Sequence, residues 1–180
     1  MSSPLPNETI WTIGHSTRSF EEFLELLTIN EIQVVVDVRK FPGSRKFPHF
    51  SKENLEVSLP PSGIEYEHME ALGGRRKANK DSKNSAWRLP SFRADADFME
   101  TEEFAKAAKK LQGLAAEKRV ACMCSEAVWW RCHRALISDY LKIREWKVEH
   151  VMGAGRTTEH PYTKPARIVN GKLSYSKEED

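Results

Sequence analysis

The chain has 180 residues, with 28 Lys and Arg against 26 Asp and Glu, a formal charge of +2 and 39% apolar residues. That length fits one domain and buries enough surface to fold without disulfides or a structural metal, while the near balance of charge excludes a broadly basic nucleic-acid-binding chain and an acidic disordered one. No apolar run approaches the ~18 residues that cross a bilayer, and Met1 to Thr12 lacks the basic-then-apolar order of a signal peptide, so a cytoplasmic protein with no membrane partner is expected.

Ile10–Gly14 is a short apolar stretch ending in Gly, a strand. Thr17 or Ser19 then supplies a hydroxyl to cap a helix, whose apolar face is Phe20, Phe23, Leu24, Leu26 and Leu27 through Ile29. Gln33–Val38 is apolar at consecutive positions and rich in β-branched residues, which suits a parallel strand covered on both faces. Strand, helix and strand in this order make a βαβ unit. From Lys40 to Asp97 periodicity weakens, and Pro42, Pro48, Pro60, Pro61, Pro90 and several Gly punctuate the chain. A connection this long predicts a lid or a partly helical insertion. Within it Ser51–Leu59 suits one short helix and Ile64–His68 one short strand. A helix follows from Thr101 through Leu114, then a buried strand at Val120–Cys124, a helix at Cys132–Ile143 and a strand at Lys147–Met152. Beyond Gly153 the pattern fades, but Asn170-Gly171 between apolar residues signals a type I′ hairpin, and Ser176–Asp180 is expected to fray. The alternation predicts one α/β domain: a three-layer sandwich with a mainly parallel sheet, a long insertion after the second strand, and a C-terminal extension over 156–180.

Three polar clusters follow the three best strands: His15-Ser16, Asp37-Val38-Arg39 and Cys124-Ser125-Glu126. In a parallel α/β sheet these ends share one edge, where ligands bind. The densest stretch runs from Cys124 to Arg134, with Cys132, His133 and Arg134 at a predicted helix start that favours anions and lowers a thiol pKa. Cys122 belongs in the strand as an inert core residue. Three cysteines crowded into Cys122–Cys132 form no secreted disulfide framework. Arg134 so early in a helix requires an anion beside it, either Glu126 or a ligand phosphate.

These segments resemble the domain-of-unknown-function-488 family, uncharacterised α/β proteins of microbes. The matching residues are Thr12-Ile13-Gly14-His15-Ser16, then Asp37-Val38-Arg39 with Pro42, Ser44 and Phe50. Tyr66, Leu72-Gly73-Gly74-Arg75, Cys124-x-Glu126 and Cys132-His133-Arg134 complete them. The resemblance spans Ile10 to Gly155 and implies the fold and a shared polar site. It implies no particular activity.

Several chemistries compete for those residues. A cysteine-phosphatase loop is disfavoured, because six residues separate Cys124 from Arg131 and Glu126 would repel a phosphate dianion. Cys124, Cys132, His133 and His15 offer sulfur and nitrogen to zinc or iron, though no Cys-x-x-Cys is present and adjacent helical residues diverge; no cofactor is clearly implied. A basic run, Arg75, Arg76, Lys77, Lys80 and Lys83, with Trp87, Trp129 and Trp130 in predicted loops, suits a nucleic acid. His49, His68, His150 and His160 fit surface or local hydrogen-bonding positions. The leading expectation is a pocket for a nucleotide, nucleic acid or other phosphate-containing ligand. Ser16, Arg39, Arg45, Arg75 and Arg134 bind it, His15 and His133 handle protons, Asp37 and Glu126 orient the bases and arginines, and Cys124 or Cys132 is the nucleophile. The alternatives are a thiol-redox or metal-binding protein built on Cys124 and Cys132, and a non-catalytic interaction module.

Overall fold

Alternation along each strand decides which helices cover it. The computed structural model describes residues 8–74, 77 and 79–177. Its main sheet contains β1 (Thr9–Gly14), β2 (Val34–Asp37), β3 (Glu65–His68), β4 (Val120–Cys124), β5 (Lys147–Gly153) and β6 (Arg156–Glu159), in the order β3-β2-β4-β1-β5-β6. The first five are parallel and β6 is antiparallel to β5. Val34 and Val36 of β2 and Val120, Cys122 and Cys124 of β4 face one way, into a core with Phe104, Leu111, Ile137 and Leu141. Val35, Ala121 and Met123 face the other way, against Phe23, Leu27 and Leu55. Helices α4 (Glu102–Glu117) and α5 (Arg134–Ile143) therefore cover one face, and α1 (Phe20–Ile29) and α2 (Lys52–Ser58) the other. This is the expected three-layer α/β sandwich with a mostly parallel sheet.

The helix starts follow local chemistry. Ser19 caps α1 in a full capping box with Glu22. Thr101 caps α4, accepting from the Phe104 N–H at 3.2 Å. Asn170 and Gly171 both have positive φ, 52° and 76°, and join β7 (Arg167–Val169) to β8 (Lys172–Ser174) in the expected hairpin. Tyr175, just after it, packs with Trp87 and Leu136, so the C-terminal segment seats on α5.

Three expectations change. The insertion holds a further helix, α3 (Pro90–Phe98), whose buried residues are Ala94, Asp95 and Ala96; so small and polar a face carries little hydrophobic period. β6 has only exposed residues and pairs at the sheet edge, so its sequence shows no strand pattern. Helix α5 begins at Arg134, not Cys132; Cys132 has extended backbone, φ −138° and ψ 170°, after a 3₁₀ turn at Trp129–Arg131.

β1 and β4 are neighbours, yet α1 leaves β1 for one face and α5 follows β4 on the other. Chains departing to opposite faces open a crevice between their strand ends, which is where ligands bind in such sheets.

Candidate functional site

The crevice is closed at its base by backbone. The N–H groups of His15 and Ser16 donate to the carbonyls of Cys124 and Ser125 at 2.9 and 3.0 Å, extending the β1–β4 ladder past the strands. Gly14 permits this approach: a Cβ there would lie 1.6 Å from the Glu126 carbonyl oxygen. Two cavities open above, of about 220 Å³ and 490 Å³. They share Arg39, Phe41, Ser125 and Glu126 in their walls; His133 and the cysteines line the smaller, and His15 and Ser16 the larger. The three strand ends therefore do converge.

On the β2 side, Arg39 is buried and held by Asp37 through Nε to Oδ1 at 2.9 Å and Nη2 to Oδ2 at 2.7 Å. Its Nη2 also donates to the Phe50 carbonyl at 2.7 Å, pinning the insertion to the sheet. The Tyr66 hydroxyl donates to the same carboxylate. His15 donates from Nδ1 to the Ser16 carbonyl at 2.9 Å, which leaves Nε2 to face Arg39 Nη1 at 3.4 Å, and its ring stacks on Phe50 with centroids 4.4 Å apart. Burial foremost, with Arg39 beside it, lowers the His15 pKa to about 4 against the pull of the Ser16 carbonyl, so the ring is neutral at pH 7.

On the β4 side sit two sulfurs. Cys124 and Cys132 are 1% and 8% exposed, with Sγ atoms 3.0 Å apart and unlinked. Cys132 Sγ also receives the Arg134 backbone N–H at 3.3 Å and its Nε–H at 3.2 Å. Burial alone would raise the Cys132 pKa, but the Cys124 S–H, the Arg134 guanidinium and His133 outweigh it and lower it. Cys124, buried and facing that sulfur, moves the other way and keeps its proton. The two shifts run in opposite directions and mark Cys132 as the more acidic sulfur of the pair. Cys122, fully buried, is raised to about 12 by burial and is inert, as expected of a core residue.

Several assigned roles shift. Arg134 lies outside the cleft walls: it is 1% exposed, and Nη1 donates to Thr12 Oγ1 at 3.1 Å and Nη2 to the Glu126 carbonyl at 2.6 Å. The anion its position requires is the Cys132 sulfur, and from Glu126 it takes only the backbone. Arg45 is exposed on the insertion, and Arg75 lies outside the described residues. Trp87 is buried against Phe92 and Tyr175, and one face of Trp129 is stacked on His150, while Trp130 is 51% exposed. Lys83 pairs with Glu100 at 2.6 Å. The zinc or iron set does not assemble. His133 Nε2 donates to the Val38 carbonyl at 2.8 Å and His15 Nδ1 to Ser16, and among the described residues no group of three or more His, Cys, Asp and Glu is arranged for a metal ion.

Beneath the dithiol lie four buried polar residues outside the predicted site, Thr12, Asp139, His150 and His160. The one available signal was Thr12 itself, a lone polar residue on the strand face that also carries Ile10 and Gly14, which points to an internal partner. Among the described residues no helix is long and apolar enough to cross a membrane. A family model described as a domain of unknown function, DUF488, matches residues 19–141. No curated protein and no solved structure matches the chain.

Proposed function

The chain belongs to the DUF488 family, and from that premise, which assigns no reaction, we propose that it is a thiol–disulfide exchange protein with Cys132 as nucleophile and Cys124 as resolving thiol. One observation carries the reading: two cysteine sulfurs 3.0 Å apart, one of them bonded by a buried guanidinium, in the wall of an open cleft. A low-pKa thiolate beside a second thiol is the arrangement that attacks a disulfide and then resolves it.

The electron and proton count closes. The Cys132 thiolate attacks one sulfur of a substrate disulfide; a Cys132–substrate bond forms, the substrate S–S bond breaks, and one thiolate leaves. That thiolate takes the Cys124 proton. The Cys124 thiolate then attacks Cys132 Sγ, forms the Cys124–Cys132 bond and expels the second thiolate, which is protonated by water. The protein dithiol is oxidised by two electrons and the substrate disulfide reduced to two thiols; the reverse oxidises a substrate dithiol.

The phosphate-ligand reading has less support, because Arg39 and Arg134 both have internal partners. Lys40, Lys46 and Arg131 remain at the cleft rim and favour a substrate with an anionic substituent.

The test is to treat the reduced, full-length protein with hydroxyethyl disulfide and map the sulfurs by mass spectrometry. Wild type is expected to yield a Cys124–Cys132 link with Cys122 free, and Cys124→Ser to stop at a mixed disulfide on Cys132. Three unreacted thiols in wild type would overturn the proposal.

A further inference from the structure

A single file of buried hydrogen bonds leaves the dithiol and runs across the sheet to the C-terminal segment. Arg134 Nη1 meets Thr12 Oγ1 at 3.1 Å, and Thr12 Oγ1 meets His150 Nδ1 at 2.5 Å. His150 Nε2 meets His160 Nδ1 at 2.8 Å, and His160 Nε2 meets Asp139 Oδ1 at 2.8 Å. Asp139 also accepts from the Thr163 N–H at 3.0 Å, the Thr163 hydroxyl at 2.5 Å and the Tyr175 hydroxyl at 2.7 Å. Arg134, Thr12, His150, His160 and Asp139 are each at most 1% exposed.

The direction of every proton follows from the two ends. A guanidinium only donates and a carboxylate only accepts. With Asp139 accepting, His160 donates from Nε2 and accepts at Nδ1. His150 then donates from Nε2 and accepts at Nδ1, so Thr12 donates its hydroxyl proton to His150 and accepts from Arg134. Run the other way, Thr12 would accept twice and its proton would have no partner in the chain. The neutral state this requires of His150 agrees with its burial beside His160 and Arg134, which lowers its pKa to about 2. Trp129 seals the ring, stacked at 4.7 Å and 7°.

We infer that Thr12, His150, His160 and Asp139 are positioning residues for the Cys132 thiolate, acting through Arg134. The inference rests on the thiol reading above. Its physical basis is that a guanidinium aims Nε at sulfur only while its other edge is held. Here that edge is held by Thr12, whose hydroxyl is polarised by a chain ending on a carboxylate. β1 supplies Thr12, β5 supplies His150, α5 supplies Asp139, and the segment after β6 supplies His160 and Thr163. Thr12, His150, His160, Thr163 and Tyr175 all lie outside the stretch matched by the family model, 19–141, so the chain's two ends complete a site whose cysteines lie inside it.

The test compares Thr12→Val, which keeps shape and removes both bonds, with Thr12→Ser, which keeps the hydroxyl. The readout is thiolate absorbance near 240 nm against pH in the full chain. Thr12→Val is expected to raise the Cys132 midpoint by about one pH unit, a tenfold loss of thiolate preference, with Thr12→Ser at the wild-type value. A folded Thr12→Val with the wild-type midpoint, whatever its melting temperature, would overturn the inference. Should Thr12→Val not fold, histidine-ring ¹⁵N shifts in wild type decide. His150 and His160 are expected to be protonated at Nε2 alone and to move when the Cys124–Cys132 disulfide forms, while His68 does not. Immobile His150 and His160 signals would overturn it equally. A wild-type chain with no thiolate below pH 7 would sink the thiol reading itself, a different outcome from a low wild-type midpoint indifferent to Thr12.

Discussion

Replacing Arg134 by Met tests the electrostatics of the dithiol directly. The guanidinium Nε lies 3.2 Å from Cys132 Sγ, and both groups are buried. Unit charges at that separation interact by about 5 kcal/mol at an effective dielectric of ~20. That is close to four pH units at about 1.4 kcal/mol each. The substitution spares two other donors to the sulfur, the residue's own backbone N–H and the Cys124 S–H, so roughly half the effect is expected to survive as a measured shift. Cys132, held below the usual thiol range in the wild type, should then titrate about two pH units higher in Arg134→Met, with Arg134→Lys between them because it keeps charge and loses the fork. The assay is the thiolate absorbance step, assigned with Cys132→Ser, together with alkylation rate against pH. An Arg134→Met protein that keeps its wild-type circular dichroism and its wild-type midpoint would refute the reasoning.

Other outcomes follow from the same geometry. Gly14→Ala would place a Cβ 1.6 Å from the Glu126 oxygen and 3.0 Å from Arg134 Nη2, so a loss of about 3 kcal/mol is expected in urea unfolding. Gly113→Ala, within α4 and open to solvent, should instead gain just under ~1 kcal/mol. Acid should weaken the fold through His15 and His150, whose folded pKa values, about 4 and about 2, lie below the unfolded 6.5. As pH falls below that value the unfolded chain binds protons that the folded chain does not. Stability therefore drops by up to about 2.7 kcal/mol per pH unit for two protons; the His15 share levels off near pH 4, and the His150 share continues. Guanidinium melts of wild type and His15→Asn between pH 7 and 5 check this, and equal slopes would count against it.

The sheet was readable because its strands are buried on both faces and announce themselves as apolar runs, Val34–Val36 and Val120–Cys124 above all. Parallel strand ends share one edge, which places His15, Arg39, Cys124 and Glu126 around one cleft without any motif. What strand ends do not give is orientation. Arg39 and Arg134 looked alike as cations near a strand end, but a carboxylate two residues away claims one and a sulfur two residues away claims the other. The Asp37–Arg39 pairing is legible in the sequence, but the Cys132–Arg134 pairing is not, since it depends on which way extended backbone at Cys132 turns its side chain. The buried histidines were unreadable for a related reason. His150 stands opposite Thr12 only through the β1–β5 register, and His160 follows an edge strand that has no apolar signature.

The buried charges also set the direction in which the proposed exchange should run. In the reduced state the Arg134 guanidinium has the Cys132 thiolate within hydrogen-bonding distance, and its remaining partners, Thr12 and the Glu126 carbonyl, are neutral. Forming the Cys124–Cys132 bond removes that anion and leaves a cation whose remaining hydrogen-bond partners are neutral, at a site 1% exposed. On the proposed reading the dithiol is therefore the favoured form, and a couple whose reduced form is held by a stabilised thiolate is oxidising. Equilibration in glutathione buffers should place the pair above the thioredoxin value of about −270 mV. Arg134→Met should move it in the reducing direction, by ~30 mV for each 1.4 kcal/mol of thiolate stabilisation removed. A wild-type potential at or below that value, or one unmoved by Arg134→Met, would mean that the guanidinium secures the loop at Glu126 and does not govern the sulfur.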